Sequence, residues 1–254
     1  MPLNPKKTQT HLNRIQTQHN PTLDDRTAHA YHARHINAEP QMAQNVSSAV
    51  MSQRFGPGGG ADFSPTPPWG ARALCEHVFR IIPPQDPWES TVWEPACGAG
   101  HMARPLSEYF RHVDATDLYD YGFGISGIDF LEGASLREER PDWVTTNPPF
   151  NLAIDFARTA LKIAKVGVAL LVRTSWTETN ERYRLFSERR PAVIAQFMGR
   201  LPMHQGGCER GASAATAYCW VVWRGNPVST EWTMIPPTAK TELERWGDYD
   251  GEQV

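Results

Sequence analysis

Asn147-Pro148-Pro149-Phe150 closes a short stretch, Asp142-Trp143-Val144-Thr145-Thr146, that reads as a β-strand. Two successive prolines remove two backbone donors and fix φ, so the carbonyls of this turn are left to accept from a ligand. The Asn147 side chain adds an acceptor oxygen and Phe150 a flat ring. Two acceptors beside a ring suit a planar group that bears an exocyclic amine. The competing reading is an ordinary proline-stiffened turn. Upstream, Glu94-Pro95-Ala96-Cys97-Gly98-Ala99-Gly100 lies where a strand gives way to a helix. Glycine there allows the backbone to approach a ligand that any Cβ would hold off. Gly98 to Ala103 also fits the G-x-G-x-x-A pattern of a dinucleotide site. Asp117 follows Gly100 by 17 residues, at the end of the next strand. A carboxylate there can accept both ribose hydroxyls of an adenosine-containing cofactor, whose identity these residues leave open. Glycine loop, acid and N-P-P-F in that order weigh against the plain turn.

The elements that must position these groups are legible in the apolar pattern. Trp69 to Ile82 places Leu74, Val78 and either Ile81 or Ile82 on one helical face. Ser90–Glu94, Val113–Leu118 and Trp143–Thr146 read as strands. Arg104–His112 and Leu152–Ala164 read as helices, with Pro105 tolerated in a first turn. Val166–Val172 is a continuous apolar run, the mark of a strand buried on both faces. Ala192–Met198 and Ala217–Trp223 follow as two further strands. Alternating strands and helices, then two consecutive strands, predict an α/β fold with a mostly parallel sheet and a C-terminal antiparallel hairpin.

The chain has 254 residues and a net charge of −3. That suffices for one sizeable α/β domain. Divided along the sequence, the charge is +3 over 1–55, −8 over 56–150, +6 over 151–224 and −4 over 225–254. The basic third block permits a polyanion on one face, although solvated helix faces explain it equally well. Residues 1–55 are polar and hold five of the nine histidines, and they read as a flexible arm. Gly56-Pro57-Gly58-Gly59-Gly60 marks the start of a domain running to 224, and 225–254 reads as a loosely docked acidic tail. Four scattered cysteines without a C-x-x-C pair argue against a zinc ribbon and a disulfide scaffold, so no metal is expected and a cytoplasmic location is. No apolar run is long enough for a membrane span.

These motifs resemble those of the S-adenosylmethionine-dependent amino-group methyltransferases, in the N6-adenine DNA methyltransferase family. The motif order is that of its gamma arrangement, as in short phage and prophage enzymes. The resemblance implies a Rossmann-like, seven-stranded class I methyltransferase sheet over residues 56–224. It also implies S-adenosylmethionine as cofactor, and nucleic acid, duplex DNA first, as partner. In the family's pattern Phe63, Pro65 and Thr66 match the segment covering the methionine end of the cofactor. Glu94, Pro95, Ala96, Gly98 and Gly100 match its loop, and Asp117 with Leu118 the ribose-binding acid and its neighbour. Asp129 and Phe130 match the pair beside the adenine, and Asn147, Pro148, Pro149 and Phe150 the catalytic tetrapeptide. The implied reaction is direct, in-line methylation of N6 on a flipped-out adenine.

The same clamp would serve RNA adenine, cytosine N4 or a protein glutamine amide, and a silent binding module would keep the same fold. A nicotinamide-dependent dehydrogenase fits only the glycine pattern and leaves Asn147 to Phe150 unexplained. Cys97 sits in the glycine loop and reads as a packing residue rather than a nucleophile. Candidates for contacting the substrate lie in the basic block: Arg173, Trp176, Arg189, Arg190, His204 and Arg210.

Overall fold

The computed structural model describes residues 63–82, 89–204, 207–210 and 215–249. The chain divides into two compact units, Met1–Phe63 and Ser64–Val254, and of the first only Phe63 is among the described residues. The polar arm over 1–55 and the glycine-rich boundary at 56–60 lie outside them.

The second unit is built on a seven-stranded sheet. Its strands are β1 (Thr91–Glu94), β2 (His112–Ala115), β3 (Trp143–Thr146), β4 (Gly167–Arg173), β5 (Val193–Phe197), β6 (Tyr218–Arg224) and β7 (Glu231–Ile235). They lie in the order β2-β1-β3-β4-β6-β5-β7. β2, β1, β3 and β4 are parallel, β6 runs antiparallel between β4 and β5, and β7 pairs in parallel with β5. The expected mixed sheet with its antiparallel hairpin is therefore present. The seventh strand, however, comes from the segment read as a loose acidic tail. Ile235 at its end is fully buried, whereas Trp232 and Met234 face outward, which disguised the strand in the sequence.

Two apolar layers flank the sheet. Along β4, Val168, Leu170 and Val172 enter one layer with Trp93, Phe130, Phe156 and Trp223. Ala169 and Leu171 enter the other with Trp69, Leu74, Phe197 and Trp220. That alternation is why the strand reads as uninterrupted apolar sequence. The first layer is covered by α4 (Ala153–Ile163), which follows the short helices α1 (Pro68–Ala73), α2 (Ala103–Leu106) and α3 (Phe130–Gly133). Ala153, Ile154, Phe156, Ala157 and Ala160 form its buried stripe. Beyond it come α5 (Asn180–Glu188) and α6 (Ala239–Leu243).

Three elements differ from expectation by more than one residue. The helix anticipated over 104–112 is only α2, Ala103–Leu106, because the chain turns after Leu106 and His112 already begins β2. The helix anticipated over 69–82 is α1 followed by a π-helical turn, Leu74–Val78. The wider turn shifts the phase of the face, so that Ile82 is buried and Ile81 is 36% exposed. β2 stops at Ala115 rather than Leu118, because Thr116 and Asp117 turn to hold the glycine loop. No described helix is long and apolar enough to cross a membrane.

Candidate active site

Glu94, Asn147 and Arg173 stand at or just beyond the C-terminal ends of β1, β3 and β4. The chain passes from β1 to β2 on one side and then returns to β3 on the other. The gap between β1 and β3 is thus the topological switch point at which open α/β sheets bind ligands.

The loop after β1 is held from β2. Thr116 N–H donates to the Glu94 carbonyl (2.9 Å) and Cys97 N–H to the Thr116 carbonyl (3.0 Å). Gly98 N–H donates to Asp117 Oδ2 (2.8 Å), and Tyr119 N–H to Asp117 Oδ1 (2.9 Å). Leu118 N–H also bears on this carboxylate, so three backbone donors hold Asp117 in the loop. Gly98 and Gly100 have φ of +51° and +84°, which L side chains rarely adopt. A Cβ on Gly100 would also come within 2.7 Å of the Phe123 ring. Pro95 and Ala96 form the turn between strand and glycines, while Leu118 is 48% exposed at the mouth of the loop.

Glu94 is buried, and burial, reinforced by the charge of Asp117, raises its carboxyl well above the usual carboxylate range. Its Oε2 is buried without a partner, as are the hydroxyls of Thr66, Thr145 and Thr146. Pro65 and Thr66 are both buried just ahead of α1. Phe63 closes the preceding unit. Burial also pushes the Cys97 thiol well up, which suits packing rather than nucleophilic chemistry.

Asn147 is held from the segment ahead of α1. Its Nδ2 donates to the Ser64 carbonyl (2.9 Å), and its Oδ1 is buried with no partner. The donor half of the amide is occupied and the acceptor half is open. Pro148 and Pro149 bring no N–H, and the Pro149 carbonyl accepts from Leu152 N–H (2.9 Å) at the entry to α4. The Phe150 ring is covered on one face by the Arg173 guanidinium, 4.1 Å from the ring centroid.

Two expected members already have structural partners. Phe130 is a core residue, 5.1 Å from the Trp93 ring and 4.8 Å from Phe156. Asp129 caps α3, accepting from Leu131 N–H (2.8 Å). Of the six basic-block candidates, Arg173 and Trp176 reach the site. Arg189 and Arg190 follow the C-terminal end of α5, about 13 Å along that helix from its start at the rise of 1.5 Å per residue. The Arg190 guanidinium donates to the Val228 carbonyl. Arg210 is engaged by Glu244 (3.1 Å) and the Arg245 carbonyl. His204 is exposed and bridges to Gly207. The sequence reading did not find the anchoring role of Ser64, because a backbone carbonyl leaves no mark in residue type.

No protein-family model matches the chain, and no curated protein matches it in sequence. Solved structures do. A protein from Listeria monocytogenes, described as a class I S-adenosylmethionine-dependent methyltransferase, superposes with a TM-score of 0.54 at 12% identity, covering 94% of this chain and 90% of that one. The fold is that of the class I methyltransferases. A type I restriction-modification methyltransferase subunit from Streptococcus thermophilus gives 0.48 at 10% identity, over 74% of this chain and 49% of that one. A protein from Pyrococcus horikoshii described as an RNA methyltransferase gives 0.49 at 15% identity, over 74% of this chain and all of that one. These last two are too distant to bear on anything beyond that statement.

Proposed function

We propose that this chain transfers the methyl group of S-adenosylmethionine to the exocyclic N6 amine of adenine in DNA. The observation that carries the reading is the Asn147 amide. Its nitrogen is anchored on the Ser64 carbonyl, while its oxygen is buried and unpartnered at the end of β3. A buried acceptor without a donor is costly, and it persists where a ligand supplies the donor.

The residues around the glycine loop fit the cofactor. Orphaned Glu94 Oε2 and the Thr66 and Thr146 hydroxyls offer partners for the ammonium and carboxylate of its methionine end. Pro65 and Thr66 would cover that end. Glu94, Pro95, Ala96, Gly98 and Gly100 would cradle it, with Asp117 and Leu118 at the ribose and Asp129 beside the adenine. Phe130 would support that wall from the core. When bound, S-adenosylmethionine supplies an electrophilic methyl group on a sulfonium.

Asn147 Oδ1 and the Pro148 carbonyl accept the two hydrogens of the target amine and turn its lone pair toward the methyl group. The Phe150 ring holds the base flat once it has left the duplex stack. Positioning supplies most of the acceleration, and neither Asn147 nor a carbonyl need act as a base. With S-adenosylmethionine bound, the amine nitrogen would gain the methyl group as the sulfonium S–C bond breaks to leave a neutral thioether, and it would release one proton to solvent. Arg173 and Trp176 flank the approach to the site beside Phe150.

The test offers labelled methyl donor to unmethylated duplex DNA, RNA and bulk protein in parallel, with nucleoside mass spectrometry of the products. N6-methyladenine in DNA alone is the expected result. Label confined to RNA or protein would keep the clamp and overturn the substrate. No label anywhere, with the cofactor measurably bound, would overturn the catalytic reading.

A further inference from the structure

Past Phe150, on the far side of the N-P-P-F turn, lies a cavity of about 220 Å3. Phe150 is the one member of that tetrapeptide that lines it, alongside Ala153, Val172, Arg173, Trp176, Glu178 and Arg182. Two guanidinium groups border it, each backed by a ring: Arg173 over Phe150 at 4.1 Å and Arg182 over Trp176 at 5.2 Å. Two of the lining residues carry a buried N–H donor without a partner, Trp176 Nε1 and Arg182 Nε, although Arg182 Nη1 is paired with Glu181 (3.0 Å). Thr179, also in the wall, has φ of 124° and is the one non-glycine residue at positive φ among the described residues. Strain of this kind persists where the surroundings impose it, and it clusters at ligand sites.

We propose that this cavity is a second nucleobase subsite, which holds a guanine next to the target base. The inference rests on the nucleic-acid reading above. The cavity is smaller than the roughly 300–1,000 Å3 of drug-sized pockets, so it takes one ring system rather than a dinucleotide. Guanidinium planes and aromatic faces are the surfaces on which unstacked bases lie. The two orphaned donors ask for two neighbouring acceptors, and guanine O6 and N7 supply them on one edge. Adenine offers N7 beside an amine and would leave one donor unpaired. A phosphate is the weaker occupant. Phe150, Ala153 and Val172 make much of the wall apolar, and the exposed Glu178 carboxylate would repel it.

The experiment selects bound DNA, in the presence of S-adenosylhomocysteine, from short duplexes with a central adenine and random neighbours, and then measures chosen sequences by fluorescence anisotropy. Wild type enriches guanine at one position next to the adenine. Replacing that guanine by 7-deazaguanine, or by an abasic site, weakens binding about tenfold, the scale of one good base contact. Trp176→Phe, which keeps a ring and removes the donor, and Arg182→Gln both lose the enrichment. Thermal melts of Trp176→Phe and Arg182→Gln establish that they are folded. Enrichment unchanged in both variants overturns the proposal, as does an abasic duplex bound as tightly as guanine, which would assign the cavity to phosphate. Failure of every duplex to bind and to accept methyl would instead bring down the DNA reading, and the subsite with it.

Discussion

Replacing Asn147 by alanine separates catalysis from folding. In the folded chain the residue makes one hydrogen bond, Nδ2 to the Ser64 carbonyl, and carries one orphaned acceptor, Oδ1. Losing the bond costs about 1 kcal/mol, and removing the orphan recovers part of that. The net change is under about 1 kcal/mol, which moves Tm by no more than roughly 4 °C in a domain of this size. The rate is a different matter. An acceptor preorganised for charge that develops only in the transition state is worth about 3–4 kcal/mol, so turnover should fall roughly 10²–10³-fold. Cofactor affinity, measured by calorimetry, should stay within about threefold, since Glu94, Thr66 and the glycine loop are untouched. Single-turnover transfer of labelled methyl then reads the chemical step. Turnover within about fivefold of wild type in a folded, cofactor-binding variant would refute the assignment of Oδ1 as the amine's acceptor. Asn147→Asp gives a cross-check: a carboxylate oxygen facing the Ser64 carbonyl repels it, so this variant should lose activity and stability together.

Three further outcomes follow from the packing. Glu94 is raised well above the carboxylate range by burial, so the folded state favours its protonated form, and its contribution to stability fades as pH rises above about 4.3. Glu94→Gln should therefore gain in Tm over wild type progressively from pH 5 to pH 8 without cofactor, while binding the cofactor more weakly; a Tm difference that is flat with pH would contradict this. Gly167→Ala would set a Cβ 2.4 Å from the Trp143 ring and 2.6 Å from the Trp223 carbonyl, a clash worth about 1–3 kcal/mol, visible in a urea titration as a lower midpoint at an unchanged slope. Arg72 is buried between Glu108 (2.9 Å) and Asp248 (2.8 Å), and Arg72→Met leaves Glu108 with the Arg245 guanidinium alone and Asp248 with the Arg245 N–H alone, which should cost about 3 kcal/mol and expose the segment after β7 to limited proteolysis.

Sheet and site differ in how far residue types reveal them. β4 was legible because both its faces are apolar, and α4 because Leu152, Phe156, Ala160 and Ala164 keep helical spacing. β7 was not, since Trp232 and Met234 put large side chains on its outer face and the 225–254 segment as a whole is acidic. The Asn147 turn announced itself through two prolines, whereas the Ser64 carbonyl that orients the amide is invisible in side-chain chemistry. Arg210 illustrates the converse: an arginine in a glycine-rich loop reads as a ligand contact, yet Glu244, 34 residues later, engages it. Phe130 followed the motif in sequence, but its burial between Trp93 and Phe156 makes it a support for the wall.

The clamp at Arg72 also sets an order of events during synthesis. α1 emerges from the ribosome early, with Trp69, Ala71 and Ala73 wanting cover. Part of that cover is Phe197 of β5, whose ring meets Trp69 at 5.6 Å, and part is Ile235 and Ala239, more than 160 residues downstream. A nascent chain that has reached only β6 still has an unpaired outer edge on β5 and an Arg72 without Asp248. Closure of the domain therefore waits on contacts of high sequence separation, and until residues 231–248 arrive the growing chain presents an open strand edge to chaperones and to its neighbours on the polysome.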